Sequence, residues 1–272
     1  MKLVYTEHFI DNTEHQDDVF DYCMSIRGEV FKASPGRTVY RFIHRHYPYF
    51  IKIHTGVGWV EILKNLSQGK LPVLGANNEW AAIARLRQLG LNTLKPVGYG
   101  VRGSNPAKQE SFLITHELAD TVSLEELTAH WHGVRPNIVV KRALINELAS
   151  VMKIMHEGGV NHRDCYLCHF RLEMKGGFAA LRLDKLKLVV IDLHRAQIRR
   201  KIPTRWQVKD LAGLYFSSKN IGLTRGDLWR FMKAYTGKSC RDIVASQAAL
   251  WRNVEKVGDA LHEKHRIKRE KS

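Results

Sequence analysis

A carboxylate on a polar loop between a helical run and a strand-like run is the first sign of chemistry in this chain. The loop reads Gly159-Val160-Asn161-His162-Arg163-Asp164-Cys165-Tyr166-Leu167-Cys168-His169-Phe170. An Asp placed there can accept the hydrogen bond of a hydroxyl and orient it for in-line attack, and positioning is most of what phosphoryl transfer asks of a protein. Asp164 is the candidate. A second carboxylate, Asp192, ends the apolar run Leu188-Val189-Val190-Ile191 and offers the hard oxygen that Mg²⁺ prefers. In Phe50-Ile51-Lys52-Ile53-His54 the pleat sends both isoleucines to one face and the Lys52 ammonium to the other. Glu79 shares an inward helical stripe with Ile83 and Leu86, so a buried carboxylate is available to pair with that amine.

The order of these residues is more telling than any one of them. Lys52, Glu79, a strand running to Glu117, His162-Arg163-Asp164 and a strand running to Asp192 follow the sequence of parts in kinase machinery. In that scheme Lys52 and Glu79 hold the α- and β-phosphates of ATP, Asp164 orients the acceptor, and Asp192 holds Mg²⁺. Backbone groups of Glu117 and Leu118 would meet adenine at the lobe junction. Asp210, near a helix start, resembles the Asp that receives backbone N–H groups of the catalytic loop, with His162 and Arg163 bracing the same loop. Three departures stand out: His169 occupies the place of a metal-binding Asn, Gly28 is all that remains of a glycine-rich loop, and D-F-G reads Asp192-Leu193-His194. An A-P-E signature is absent, which argues against a regulated activation loop.

These side chains need two kinds of scaffold. Strand-like runs at Ile26–Ala33, Arg37–Arg45 and Tyr49–His54 predict an antiparallel meander, and further strands are expected at Pro96–Arg102 and Ser111–Leu118. A helix is predicted from Asn78 to Leu89, preceded by an inserted helix-like stretch from Trp59 to Leu66. After Ser123 the period changes. Pro136 opens a long helix with Leu144, Leu148, Val151 and Met155 on one face, closed by Gly158-Gly159, and a hairpin-like pair spans Phe170–Leu193. Helices are expected at about Thr204–Ser217, Arg225–Tyr235 and Asp242–His262, followed by a basic tail from Lys264 to Lys271. The reading is an α+β, two-lobed fold: 1–118 a β-rich lobe with one principal helix, 119–272 a mainly helical lobe carrying the catalytic loop.

Composition narrows the partners. With 43 Lys+Arg against 27 Asp+Glu, the 272-residue chain carries a formal charge of +16 and should attract an acidic partner. Nucleic acid is disfavoured because no module pattern of interleaved aromatic and basic residues is present. No apolar run approaches the ~20 residues that span a bilayer, and Met1–Phe20 lacks the basic start and apolar stretch of a secretory signal. Cys23, Cys165, Cys168 and Cys240 are then expected as free thiols in a reducing compartment. Cys165-Tyr166-Leu167-Cys168-His169 also fits a haem-attachment pattern or part of a zinc site. Haem attachment normally follows export, and structural zinc normally closes with two separated ligand pairs, so plain thiols are the better reading.

The strings Gly159–Phe170, Val190–Arg199, Arg205–Phe216 and Ile221–Thr224, with Asn78-Glu79-Trp80 and Phe112–Leu118, resemble the lipopolysaccharide core heptose(I) kinases, relatives of the Kdo kinases within the protein-kinase-like superfamily. The resemblance implies ATP- and Mg²⁺-dependent phosphorylation of the first heptose of the inner core, at the cytoplasmic face of the inner membrane of a Gram-negative bacterium, with peripheral membrane contact. His169 in the Asn position is typical of that family. An anionic core glycolipid then accounts for the charge, with Arg195, Arg199, Arg200, Lys201 and Arg205 as the acceptor-binding surface. An acidic carrier protein or a lipid is a further candidate partner. The competing readings are a small-molecule or tyrosine kinase of the same fold, an inactive kinase-like scaffold, and a basic nucleic-acid-binding protein. Lys52, Asp164 and Asp192 are all present, which speaks against the scaffold.

Overall fold

The computed structural model describes residues 1–5, 9, 18–67, 75–178 and 181–271. They form two compact units, the first from residues 1–84 and 94–119 and the second from 85–93 and 120–272.

The first unit is built on a six-stranded antiparallel sheet. Its strands are β1 (Lys2–Tyr5), β2 (Glu29–Ser34), β3 (Arg37–His44), β4 (Tyr47–His54), β6 (Pro96–Arg102) and β7 (Glu110–His116), in the order β1-β6-β7-β4-β3-β2. Period-two alternation sends Tyr49, Ile51 and Ile53 of β4 and Phe112 and Ile114 of β7 into a core with Phe20 and Cys23. Each such apolar side chain stabilises the fold by about 1.5–3 kcal/mol when fully buried. Phe20 and Cys23 come from helix α1 (Val19–Ser25), whose first turn is capped by the Asp18 carboxylate accepting from the N–H groups of Phe20 and Asp21. Neither α1 nor β1 was visible as a pattern in the sequence. Two more helices precede β6: α2 (Gly58–Ser67) and α3 (Asn77–Gln88).

The second unit holds the four-stranded sheet β5-β11-β10-β8 and the two-stranded pair β12-β9, with β5 at Asn92–Thr93, β8 at Thr121–Ser123, β9 at Val160–Asn161, β10 at Phe170–Glu173, β11 at Leu188–Val190 and β12 at Gln197–Ile198. The segment 85–93, expected in the N-terminal lobe, groups here instead. Asn92 and Thr93 pair with Val189 and Val190, and the Arg85 guanidinium donates to the Gly158 carbonyl at 3.0 Å. Helices α4 (Leu124–Thr128), α5 (Ile138–Glu157), α6 (Thr204–Ser218), α7 (Arg225–Thr236) and α8 (Cys240–Glu270) complete it. Asn137, one residue after Pro136, caps α5, and the stretch read as a basic tail continues α8 as helix to Glu270. Lys141 of α5 and Asp227 of α7 form a buried ion pair at 2.7 Å. A cavity of about 390 Å³ lies among these helices, lined by Leu144, Leu148, Leu214, Leu228, Met232 and Val254.

Candidate active site

In the first unit, β4 runs between β3 and β7, so Lys52 sits opposite Val39 and Leu113 in the middle of the sheet. Its ammonium pairs with Oε1 of Glu79 on α3, while Oε2 is buried without a hydrogen-bond partner. The two side chains are 14% and 1% exposed, so removing either leaves a charge stranded in a dry setting, at a cost of about 3–5 kcal/mol. Glu117 pairs with Arg41 at 2.9 Å, and its N–H donates to the Pro48 carbonyl. Gly28 precedes β2 so closely against β3 that a Cβ there would lie 2.1 Å from the Arg41 carbonyl oxygen. Glycine at that position is thus required by strand packing. The hairpin turn itself is Pro35-Gly36, as the Ser34-Pro35-Gly36 string between the two strand-like runs predicts, with Gly36 at φ +71°.

In the second unit the loop after α5 is held from below by Asp210 of α6. This fully buried carboxylate accepts from the N–H of His162 at 2.6 Å and of Arg163 at 2.7 Å. Its Oδ2 also lies 3.3 Å from Nε2 of His156. Nδ1 of His156 meets the Tyr235 hydroxyl at 2.8 Å, and that oxygen accepts from the Gln207 amide at 2.8 Å. Donor and acceptor capacities match along this chain when the His156 ring carries its proton on Nε2. Arg163 takes the left-handed conformation, φ +73°, which turns the chain so that Asp164 follows on the exposed side of the loop.

Asp164 is partly exposed and accepts from Nη1 of Arg195 at 3.0 and 3.3 Å. Its backbone carbonyl lies 2.7 Å from Nδ1 of His169. Because a carbonyl can only accept, Nδ1 carries a proton and Nε2 is the atom turned to Asp192 Oδ2, 3.5 Å away. Asp192, at φ +59°, follows β11, and its Oδ1 accepts from Nδ1 of His194 at 2.6 Å. His162 lies parallel to His169 with ring centroids 5.5 Å apart and places Nε2 at 2.9 Å from the Ile191 carbonyl. Burial pushes the His162 pKa down, outweighing the Asp210 charge, so the ring serves as a neutral brace.

The second unit therefore brings together His162, Arg163, Asp164, His169, Asp192, Arg195 and Asp210. Arg199 and Arg205 gather nearby at Trp206, whereas Arg200 and Lys201 are exposed on the intervening loop. His194, Lys209 and the His156–Tyr235 relay escaped the sequence reading. His194 was legible only as the residue that replaces glycine after Asp192-Leu193. The four cysteines are free, burial pushes the Cys165 thiol far up and Cys168 up to about 11, and no group of three His, Cys, Asp or Glu among the described residues could hold a metal ion.

The model of the lipopolysaccharide kinase (Kdo/WaaP) family matches residues 22–235. The chain belongs to that family. A lipopolysaccharide core heptose(I) kinase WaaP of Escherichia coli K12 is 49% identical over 233 residues, 86% of this chain and 87% of that protein. Its namesake in Pseudomonas aeruginosa is 45% identical over 264 residues, 97% of each. A solved structure described as WaaP in complex with acyl carrier protein aligns with a TM-score of 0.82 at 40% identity, covering 96% of this chain and 100% of that one. This Kdo/WaaP family member is accordingly an ATP-using phosphotransferase with a protein-kinase-like α+β fold. No helix among its described residues is long and apolar enough to cross a membrane.

Proposed function

We propose that the protein phosphorylates the first heptose of the lipopolysaccharide inner core, with Asp164 orienting the acceptor hydroxyl for in-line attack on the γ-phosphate of ATP. The observation that carries the reading is the loop held by Asp210, which presents the Asp164 carboxylate partly exposed and fixed by Arg195. Lys52, steadied by Glu79, takes the α- and β-phosphates. Glu117 and Leu118 offer backbone groups to adenine.

The donor set suits a divalent cation. A carboxylate oxygen of Asp192 lies 3.5 Å from Nε2 of His169, so a hard oxygen and an imidazole nitrogen converge where a cation could take both. Mg²⁺ held by Asp192 and His169 would offset charge developing on the phosphate oxygens. Asp164 directs the hydroxyl, and Arg195 keeps that carboxylate in place.

Arg195, Arg199, Arg200, Lys201 and Arg205 make the surface for the anionic acceptor. An acidic carrier protein fits the +16 charge, and the apolar cavity among α5 to α8 suits an acyl chain carried on it. Peripheral contact with the cytoplasmic face of the inner membrane is supported by α2, where Trp59, Leu63 and Leu66 lie exposed on one stripe, Val60 beside them is 83% exposed, and Ile62 is buried.

The test is direct. Purified protein with ATP and Mg²⁺ should transfer phosphate to heptose-bearing core lipopolysaccharide, and Asp164→Asn should stay folded and bind nucleotide while losing most turnover. Turnover on a free tyrosine peptide or small alcohol but on no core acceptor would replace this reading with the competing one.

A further inference from the structure

We infer that Trp206, with Arg163, Arg199, Arg205 and Lys209 set around its indole, forms a recess for one anionic substituent of the acceptor, a sugar carboxylate or a phosphate ester. The inference rests on the acceptor reading above and narrows it to the chemistry of a single group beside Asp164.

The four cations crowd one ring. The guanidinium carbons of Arg163, Arg205 and Arg199 stand 5.1, 5.2 and 5.8 Å from the indole centroid, and Nζ of Lys209 stands 5.5 Å from it. A π-face attracts each cation, but it does nothing to offset their mutual repulsion. The neighbouring carboxylates are already engaged: Asp164 with Arg195, and Asp210 with two backbone N–H groups and His156. Positive charge is thus left in excess at one spot. Burial lowers the proton affinity of Arg163, as do Arg195 and Arg199, and the Asp164 and Asp210 carboxylates offset this only in part. Lys209 is shifted down likewise, by burial and then by Arg163 and Arg195, against a smaller upward pull from Asp164 and Asp210.

Two unpartnered donors sit in the same cluster. Arg163 is only 6% exposed, and its Nε is buried without a hydrogen-bond partner, as is Nε1 of Trp206. Unmet buried donors are costly, and an acceptor-only group of negative charge would satisfy them and the charge excess together. The start of α6 adds to this. Its N-cap is Pro203, which has no side-chain oxygen to give, so the positive end of a 15-residue helix carrying Arg205, Trp206 and Lys209 in its first two turns has no side-chain cap.

Arg195 explains why the acceptor, rather than the nucleotide, is the source of the anion. It contributes to the field at Arg163 and Lys209 and bonds the Asp164 carboxylate, so the recess adjoins the group that handles the acceptor hydroxyl. An anion held here would place a neighbouring sugar hydroxyl at Asp164.

The full-length protein and its Arg205→Gln/Lys209→Gln variant decide the matter, since neither side chain is fully buried. Inorganic phosphate, compared with chloride at equal ionic strength, should raise the melting temperature of the wild type and leave the variant unmoved. Equal shifts in both would overturn the inference. In steady state the variant should raise KM for core lipopolysaccharide at least tenfold and change KM for ATP less than twofold; the reverse split would assign the recess to the nucleotide and overturn it. Intact-mass analysis that finds the purified chain phosphorylated, with phosphate on the chain protecting the recess, would also overturn it by supplying the anion from within. Phosphate stabilisation without turnover on any heptose acceptor would remove the premise, and it would be recognisable because the melting shift survives while the proposed function fails.

Discussion

Nδ1 of His169 lies 2.7 Å from the backbone carbonyl of Asp164, so the side chain standing in place of a kinase asparagine is tied to the loop whose carboxylate it accompanies. The bond orients the imidazole and dictates which nitrogen faces Asp192. Replacing His169 by Ala should therefore raise the Mg²⁺ concentration needed for half-maximal turnover and lower kcat, about 10–100-fold as for other supporting ligands, with KM for the acceptor little changed. His169→Asn should recover part of the loss. Magnesium titrations of the three proteins test this, and an unchanged half-maximal concentration in His169→Ala would remove His169 from the metal site.

Asp210 accepts two backbone N–H groups and one imidazole in full burial. Charge-assisted bonds of this kind contribute about 1.5–3 kcal/mol each, and the donors left behind by Asp210→Ala have no water to turn to. The variant should lose at least about 3 kcal/mol of stability and nearly all activity, whereas Asp210→Asn should lose less of both. Urea unfolding curves with activity measured in parallel separate the two effects.

The buried pair Lys141–Asp227 links α5 to α7 and sets a pH window. Burial alone would raise the Asp227 pKa, but the bonds from Lys141 and Thr224 prevail and hold it below the usual carboxylate range. Its contribution is therefore complete above the unfolded-state pKa of about 3.9 and fades as pH falls through the lower folded value. At pH 7 Asp227→Asn should be destabilised by about 3–5 kcal/mol, because the Lys141 charge stays buried without its counter-ion. Denaturation midpoints of the two proteins should converge as pH drops below about 4. A gap that stays constant down to pH 3 would mean that the pair does not set this window.

Helix α2 exposes Trp59, Leu63 and Leu66 along one stripe and anchors itself through Ile62. Trp59→Ser/Leu63→Ser should weaken sedimentation with vesicles of mixed neutral and anionic phospholipid several-fold, and Trp59 fluorescence should shift to the blue when wild type meets such vesicles. Vesicle binding equal in both proteins would place any membrane contact elsewhere.

Much of this protein is legible in one dimension because its signals are local. The alternation Ile51-Lys52-Ile53 assigns faces without reference to any other strand, and the spacing of Glu79, Ile83 and Leu86 does the same for α3; all three helical positions are buried. Asp210 was expected to brace the loop only through its likeness to a kinase helix Asp, since a carboxylate near a helix start reads equally well as a surface residue; it accepts the N–H groups of His162 and Arg163. Strand β1 and helix α1 were not readable. Lys2–Tyr5 is ordered by pairing with β6, almost a hundred residues on, and α1 by a core drawn from β4 and β7, so neither has a pattern of its own.

The chain's residues alone determined the order of chemical groups, the faces they occupy, the basic charge and the family likeness, because covalent order and side-chain periodicity need no partner. Tertiary structure decided what no spacing encodes: that 85–93 joins the second unit, that Arg195 bonds Asp164, that Gly28 answers to the Arg41 carbonyl, and that four cations from separate stretches surround Trp206. Hydrogen bonds and charge interactions act through a few ångströms of space, and only folding sets which distant residues come within that range.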